Sequence, residues 1–144
     1  MSETLRNALR PDPGTLCCGR LDQAALVAAK AAGVVQVIDL LPESECQGFD
    51  EAAACADLQL GYARLPIAGA ADLSRENVMA FDRLLAATAA PLRLVHCASG
   101  NRVGALYALR AGWLHGKSPI QALALGRAYG LTKLEPAVAQ LLLG

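Results

Sequence analysis

The residues best suited to chemistry lie together in one short segment, in which a cysteine and an arginine bracket a small loop. The segment reads, in order, His96, Cys97, Ala98, Ser99, Gly100, Asn101 and Arg102. An apolar run typical of a strand precedes it, and a helix-like apolar pattern follows it. Successive backbone N–H groups between a strand and a helix N-terminus can point into one concavity, which favours an anion. Gly100 permits a backbone conformation that is closed to other residues.

Cys97 and Arg102 supply the reactive groups of this predicted anion-binding loop. A thiol next to the positive end of a helix ionises more readily, and the thiolate is the nucleophilic form. Arg102 offers a planar fork of N–H donors that suits a tetrahedral oxyanion. We therefore expect the loop to bind an anionic group that Cys97 attacks. Two interpretations remain for His96: it orients the loop through hydrogen bonds, or it is a core histidine with satisfied hydrogen bonds.

The composition restricts the partners of such a site. The chain has 144 residues, enough for one domain with a sizeable core, and 54% of them are hydrophobic. Its formal net charge is zero, which leaves no whole-chain electrostatic case for binding nucleic acid or an anionic membrane surface. The expected partner is therefore a small anionic substrate at a local positive site.

Further sequence features predict a cytoplasmic protein. Residues 1–14 lack the apolar segment of a secretory signal, and we expect them to form a poorly ordered arm. Apolar stretches stay well short of the ~20 residues that span a bilayer. The five cysteines, an odd number, fit a reducing compartment better than a disulfide framework. They have no metal-ligand spacing with histidine or carboxylates, so we predict no metal and no cofactor.

Strand and helix patterns alternate along the chain. Predicted strands cover residues 34–40, 62–67 and 92–97, and predicted helices follow Asp22, Gly48, Ser74 and the cysteine–arginine loop. Capping-box patterns at residues 118–121 and 132–135 open two more helices near the C-terminus. This order predicts an α/β domain with a mostly parallel central sheet, helices on both faces and a C-terminal helical cluster. Ligands of such sheets bind at the carboxyl ends of the strands, where Cys97 would lie.

The segment VHCASGNRVGAL resembles the signature of cysteine-dependent protein tyrosine and dual-specificity phosphatases, in which five residues separate His-Cys from Arg. The wider chain is similar to a bacterial phosphatase-like domain family, also found fused to beta-lactamase-like hydrolases and often called sulfur-transferase-like. Softer matches are CCGRLDQAAL, AAGVVQVIDLLPESE and RLPIAGAADLSREN, so the resemblance covers essentially residues 15–140. It implies a three-layer phosphatase-type α/β sandwich and a nucleophile at Cys97. The anion would be held by Arg102 and by the backbone amides of Ala98, Ser99, Gly100, Asn101 and Arg102.

Three positions differ from the usual pattern of these phosphatases. Four residues separate Cys97 from Arg102, the loop length of rhodanese-type sulfurtransferases. Val103 stands where a Ser or Thr hydroxyl usually helps the thiolate to leave, and Val cannot donate a hydrogen bond. The first carboxylate after the second-strand proline, Asp72, comes later than the usual general acid. Asp72 either protonates the leaving group from a moving loop or helps to start the helix near Ser74.

Three functions are compatible with these features. A phosphatase would attack a phosphomonoester through Cys97, whereas a sulfurtransferase would carry a sulfane sulfur from thiosulfate or a persulfide on the same thiol. A noncatalytic anion-binding module is the third, and the intact Cys97 and Arg102 count against it. The adjacent Cys17 and Cys18 either exchange sulfur or form a disulfide with Cys97, or they are buried strand residues.

Overall fold

A central β-sheet positions the cysteine–arginine loop. The computed structural model describes residues 5, 7–87 and 91–144. Within these residues the sheet has five strands: β1 (Leu9–Asp12), β2 (Thr15–Cys18), β3 (Gln36–Asp39), β4 (Gly61–Arg64) and β5 (Arg93–His96). Their order across the sheet is β1-β2-β5-β3-β4. β1 pairs antiparallel with β2, and the other neighbours are parallel, so the predicted mostly parallel sheet is confirmed.

Helices cover both faces of the sheet, as the sequence predicts. The described helices are α1 (Gln23–Ala31), α2 (Glu51–Asp57), α3 (Arg75–Ala87), α4 (Asn101–Trp113), α5 (Pro119–Ala128) and α6 (Glu135–Leu143). One apolar cluster joins the sheet to α1 and α2, and a second joins the opposite face to α3, α4 and α6. This arrangement is the expected three-layer sandwich, and its last three helices pack together in the described C-terminal part.

The strands carry the apolar residues that a sheet buried on both faces requires. In β5, Leu94 belongs to the cluster beneath α1 and α2, and Val95 belongs to the cluster beneath α4. Both are fully buried, as are Val37 and Ile38 in the neighbouring β3. Burial of each such side chain stabilises the fold by about 1.5–3 kcal/mol. Side chains of successive strand residues point to opposite faces, which explains why a continuous apolar run fits this position.

Helix starts follow the predicted caps in three cases. The Asp22 carboxylate accepts the Ala25 N–H at 2.8 Å at the start of α1. The Ser74 hydroxyl likewise accepts an N–H at the start of α3. Ser118 and Gln121 form the predicted reciprocal capping box of α5. Each of these caps satisfies backbone donors that have no partner within the helix.

The capping box predicted at residues 132–135 is wrong. α6 begins at Glu135 and its N-cap is Leu134, whose side chain makes no capping hydrogen bond. The N–H groups of Thr132 and Leu134 instead donate to the Asn101 side-chain oxygen, at 2.9 and 3.2 Å. A long-range acceptor therefore fixes this turn, and local sequence cannot reveal it.

The N-terminal segment differs in part from the expected poorly ordered arm over residues 1–14. Its second half contains β1, and Leu5 is buried with 2% of its surface exposed. β1 covers the free edge of β2, which would otherwise present unpaired backbone groups. Residues 1–4 and 6 lie outside the described part of the chain. Among the described helices, none is long and apolar enough to cross a membrane.

Candidate functional site

The site lies at the carboxyl edge of the sheet, at the end of its central strand. β5 runs between β2 and β3, and Cys97 is the first residue after it. The Cys97 N–H donates to the Cys18 carbonyl at 3.3 Å, which extends the β2–β5 ladder by one bond. α4 then begins at Asn101, so a short loop joins the strand to the helix N-terminus as predicted.

The carbonyl groups of this loop point away from its centre. Each accepts a hydrogen bond from a group outside the loop: Cys97 from His96 Nδ1 (3.3 Å), Ala98 from Arg20 N (3.1 Å), Ser99 from Asn7 Nδ2 (3.2 Å) and Gly100 from Gly104 N (3.1 Å). The N–H of a planar trans peptide points opposite to its carbonyl. The N–H groups of residues 98–101 are therefore directed to the interior of the loop. The Gly100 N–H reaches the Cys97 Sγ at 3.1 Å, in agreement with this direction.

Two glycines make this loop conformation attainable. Gly100 has φ of 94°, in the left-handed region that favours glycine. Gly19 lies against the loop from β2, where a Cβ atom would approach the Ala98 carbonyl oxygen to 2.6 Å. A left-handed residue next to a helix start turns consecutive N–H groups into one concavity, which is an anion-binding geometry.

Cys97 lies at the base of this concavity with no solvent-exposed surface. Its sulfur accepts the Gly100 N–H, and its neighbours include the apolar cluster beneath α4. Around it, Ala98 and Arg102 are half-buried and Ser99 is exposed.

Arg102 is directed towards the protein and not into solvent. Its Nη1 and Nη2 donate to the two carboxylate oxygens of Glu45 at 2.9 and 2.7 Å, and Nη1 also donates to the Ile67 carbonyl at 2.7 Å. The hydrogen bonds to Glu45 raise the pKa of Arg102 against the effect of burial, and the nearby Cys97 raises it further through charge and hydrogen bonding. The guanidinium therefore lies near the thiol while Glu45 and Ile67 accept its Nη hydrogen bonds.

Glu45 is a site residue that sequence reasoning misses. It ends a short 3₁₀ turn, Glu43–Glu45, in the segment after β3. The hydrogen bond from Arg102 lowers the pKa of Glu45 despite partial burial, and the charges of Arg102 and Arg20 lower it further. The Arg20 side chain also donates to the Glu45 backbone carbonyl, which fixes the turn. The only sequence signal for Glu45 is an acidic residue shortly after a strand that ends at the same sheet edge as Cys97.

The structure places Asp72 on a loop that begins next to Arg102. Ile67, whose carbonyl contacts Arg102, opens this loop, and Asp72 ends its 3₁₀ turn. The Asp72 carboxylate accepts the Ala68 N–H at 2.7 Å, and its carbonyl accepts the Asn77 side chain at 2.8 Å. Asp72 therefore links the loop to the start of α3. Its role as a general acid stays a prediction.

His96 joins the loop to a buried polar cluster. Its ring is fully buried, and Nε2 lies 2.6 Å from Glu51 Oε2 and 3.4 Å from Asp39 Oδ1. Asp39 in turn accepts the Tyr62 hydroxyl at 2.6 Å and the Arg64 guanidinium at 3.4 Å. The contact with the Cys97 carbonyl agrees with the interpretation in which His96 orients the loop, and full burial with a partner at each ring nitrogen agrees with that of a satisfied core histidine.

The same cluster brings together residue types that bind metals. One ligand atom each from Asp39, Glu51 and His96 lies within 4.8 Å of the others, although these residues are far apart in sequence. The expectation of no metal rests on sequence spacing, which cannot predict that residues far apart in the chain lie close together in the fold. Both Asp39 oxygens already accept protein donors, including the cationic Arg64, and Glu51 faces the His96 ring. A metal ion would have to displace these partners.

Cys17 and Cys18 are buried in β2 and belong to opposite apolar clusters. Burial, together with nearby negative groups and the other thiols, raises the pKa of both. Both are free thiols, as is Cys97. A buried thiol with a raised pKa is a poor nucleophile, which favours the packing interpretation over sulfur exchange.

Two clefts flank the loop. One, of about 220 Å³, is lined on the β3 side by Arg20, Leu41, Cys46 and Glu51, among others. The other, of about 470 Å³, lies on the side of Ser99 and Lys133.

Comparisons with known proteins agree with this architecture. No family model matches the chain, and no curated protein matches its sequence. A solved DUF442 protein from Shewanella putrefaciens CN-32, assigned as a phosphatase, has 21% sequence identity over 97% of this chain and 93% of its own, with a TM-score of 0.72. A protein from Neisseria meningitidis Z2491 with the same assignment has 21% identity over 92% of this chain and 94% of its own, with a TM-score of 0.75.

A third similar structure carries a ligand. TpbA from P. aeruginosa, as a cysteine-to-serine variant in complex with phosphotyrosine, has 18% identity over 96% of this chain and 83% of its own, with a TM-score of 0.73. Sequence identities of 18–21% with these structures indicate a shared fold. The chain therefore has the three-layer α/β fold of bacterial protein-tyrosine-phosphatase-like proteins.

Proposed function

We propose that the protein is a cysteine-dependent phosphatase that hydrolyses a phosphomonoester. One observation carries the proposal: the inward N–H groups of residues 98–101 surround the Cys97 sulfur in a concavity, and Arg102, whose pKa the nearby Cys97 raises, directly follows them. Such a concavity suits a tetrahedral dianion, and the sulfur at its base is placed for attack. The phosphotyrosine bound by the similar TpbA structure supports a phosphate ester as substrate.

The reaction proceeds in two displacements. The Cys97 thiolate attacks phosphorus, the bond from phosphorus to the alcohol oxygen breaks, and Asp72 donates its proton to that oxygen. Water then attacks the cysteinyl-phosphate, gives a proton to the Asp72 carboxylate, and releases phosphate while the sulfur regains its electron pair. The loop N–H groups and Arg102 stabilise the charge on the phosphoryl oxygens in both steps.

A sulfurtransferase is the second candidate, and the length of the loop favours it. Four residues separate Cys97 from Arg102, which gives a smaller ring of donors than five would give. Val103 is fully buried and has no hydroxyl to assist departure of the thiolate from phosphorus. In this reaction the Cys97 thiolate attacks the sulfane sulfur of thiosulfate, the S–S bond breaks, and sulfite leaves with the electron pair. Cyanide or a thiol then accepts the sulfur from the persulfide.

A paired assay separates these functions. Purified protein is given an aryl phosphate and, separately, thiosulfate with cyanide, and the modified Cys97 peptide is identified by mass. Phosphate release with a phosphate adduct is expected, and Cys97→Ser should lower turnover by at least about 10³-fold. Full turnover in Cys97→Ser would eliminate the nucleophile. An added sulfur atom with thiocyanate formation would establish the second candidate, and anion binding without either turnover would leave a binding module.

The same assay tests Asp72 through the leaving group. Asp72→Asn keeps an oxygen for the Ala68 N–H but cannot donate a carboxylic acid proton. Its rate should fall more for a phenyl phosphate than for an activated nitrophenyl phosphate, because only the poorer leaving group needs the proton. Asp57→Asn, at the end of α2, is the matched control. Equal losses with both esters would remove Asp72 from the chemistry.

A further inference from the structure

Both ring nitrogens of the buried His96 face oxygen atoms. Nδ1 lies 3.3 Å from the Cys97 carbonyl oxygen, and Nε2 lies 2.6 Å from Glu51 Oε2. A carbonyl oxygen and an ionised carboxylate can only accept hydrogen bonds, whereas a neutral imidazole carries a single N–H. A neutral ring beside an ionised Glu51 would therefore turn one lone pair towards an oxygen, either Glu51 Oε2 at 2.6 Å or the Cys97 carbonyl oxygen at 3.3 Å. One additional proton on the His96–Glu51 pair gives both ring nitrogens a hydrogen bond.

We propose that Glu51 is a positioning residue that holds His96 as an imidazolium behind the Cys97 carbonyl, so that a buried cation strengthens anion binding by the loop. The inference rests on the anion-binding loop of the proposed function and specifies one source of its positive charge. The imidazolium donates to the Cys97 carbonyl and keeps it turned outward, which directs the Ala98 N–H inward.

The charges around the cluster balance in this arrangement. Asp39 accepts the Leu41 N–H and the Tyr62 hydroxyl and pairs with Arg64, so its charge is already compensated. Glu51, with 4% of its surface exposed, then has His96 as its counter-charge. A buried carboxylate left without a cation would cost several kcal/mol, which favours the charged pair.

The other titratable groups near the pair leave this balance unchanged. Cys18 lies beside His96 in the sheet register, and Cys55 lies on α2 with Glu51. Burial and the nearby carboxylate raise the pKa of both thiols, that of Cys55 to about 12, so both stay neutral. Burial opposes protonation of His96, but the hydrogen bond and charge of Glu51, with the charge of Asp39, raise its pKa overall.

The contrasting arrangement places the proton on Glu51. A protonated Glu51 would donate to Nε2 of a neutral His96, and Nδ1–H would still reach the Cys97 carbonyl. The loop geometry would be the same, but no cation would stand behind the thiol. The protonation of the two ring nitrogens therefore decides between the arrangements.

Nitrogen-15 NMR of the histidine ring measures this directly. The chain has two histidines, and the exposed His115 is removed by His115→Gln so that a single ring remains. Near neutral pH we expect both nitrogens of His96 to be protonated. Glu51→Gln offers an amide N–H to Nε2 in place of the carboxylate, so one nitrogen should lose its proton. One unprotonated nitrogen in the His115→Gln protein, in which Glu51 is intact, would overturn the proposal. This measurement does not depend on whether the Glu51→Gln variant folds.

A chemical readout tests the effect on the loop. Iodoacetate carries the charge that the loop would attract and iodoacetamide does not, so the ratio of their alkylation rates at Cys97 reports the local positive potential. Glu51→Gln should lower this ratio about fivefold, because the buried cation is lost. Glu76→Gln, in the exposed first turn of α3, should leave it unchanged. An unchanged ratio in a folded Glu51→Gln protein would refute the proposal.

Failure of the proposed function gives a different result. If the protein hydrolyses no phosphate ester but the NMR and alkylation results are as expected, His96 is an imidazolium and the phosphatase proposal is wrong. If the protein hydrolyses a phosphate ester but the His96 ring is neutral, the phosphatase proposal is supported and the proposed role of Glu51 is wrong.

Discussion

Glu45 orients the guanidinium of Arg102, the group that would bind the anion in the proposed reaction. It binds Nη1 and Nη2 in a bidentate pair, and the two side chains are 30% and 12% exposed. A bidentate pair restricts rotation of the guanidinium, which a single contact does not. A preorganised donor is more effective in a transition state than one that must be oriented during the reaction.

Replacing Glu45 should therefore damage function more than folding. We predict that Glu45→Gln lowers kcat/KM for an aryl phosphate by about tenfold, because Arg102 loses its fixed orientation. Urea unfolding should change little, since partly exposed ion pairs contribute about 0–1 kcal/mol. Glu43→Gln, in the same turn, is the control for a general loss of negative charge. Equal kinetics for the two variants would contradict the orienting role.

At this scale the sequence predicts the loop well and the residues that support it poorly. The order of Cys97, Gly100 and Arg102 is local, so their placement follows from the loop that a strand and a helix enclose. Glu45 and Glu51 act across 57 and 45 residues of chain, and their meeting with Arg102 and His96 depends on how the strands assemble. Single-sequence patterns carry no such information.

The start of α4 carries the loop, and close packing against α5 fixes this helix. At Gly104, an added Cβ atom would approach the Leu131 nitrogen to 2.1 Å and the Gly126 carbonyl oxygen to 2.6 Å. Both obstacles are backbone, which cannot rotate aside. The position of α4, and with it the direction of the loop N–H groups, therefore depends on the absence of a side chain here.

We predict that Gly104→Ala destabilises the protein by about 1–3 kcal/mol, because the backbones of α4 and α5 must separate. Gly112→Ala on the same helix is the matched control. Its added atom meets the end of the Leu142 side chain at 2.4 Å, which can adopt another rotamer. Urea unfolding of both variants gives the comparison. Equal free energies of unfolding would mean that α4 and α5 are not locked at Gly104.

The starts of the helices and strands are predictable where the sequence signal acts within a few residues. Asp22 and the capping box at Ser118 start their helices as predicted, because an N-cap acts within one turn. The same pattern failed at Thr132, where Asn101 from α4 takes the N–H. β1 was missed because its partner strand, and not its own residues, makes it a strand.

Across the molecule, the buried cluster around His96 makes stability depend on pH. The pKa of His96 in the folded protein is raised above its ordinary value of 6.5. The folded state therefore binds a proton that the unfolded chain releases near pH 6.5. This contribution to stability is fully present below that pH and is lost as pH rises through the folded pKa.

We predict that the free energy of unfolding, measured in urea over a series of pH values, falls from about pH 6.5 upward more steeply than in Glu51→Gln. The variant lacks the carboxylate that retains the proton. His115→Gln, which removes the exposed histidine, should leave the slope unchanged. Parallel curves for the parent and Glu51→Gln would show that His96 takes up no extra proton on folding.

The pairing of β1 with β2 has a practical consequence for anyone who handles the protein. Asn7, two residues before β1, donates to the Ser99 carbonyl at 3.2 Å, so the segment that leads into β1 is tied to the cysteine–arginine loop. A fusion partner that strains this segment would therefore disturb the loop and, with it, measurements of ligand binding.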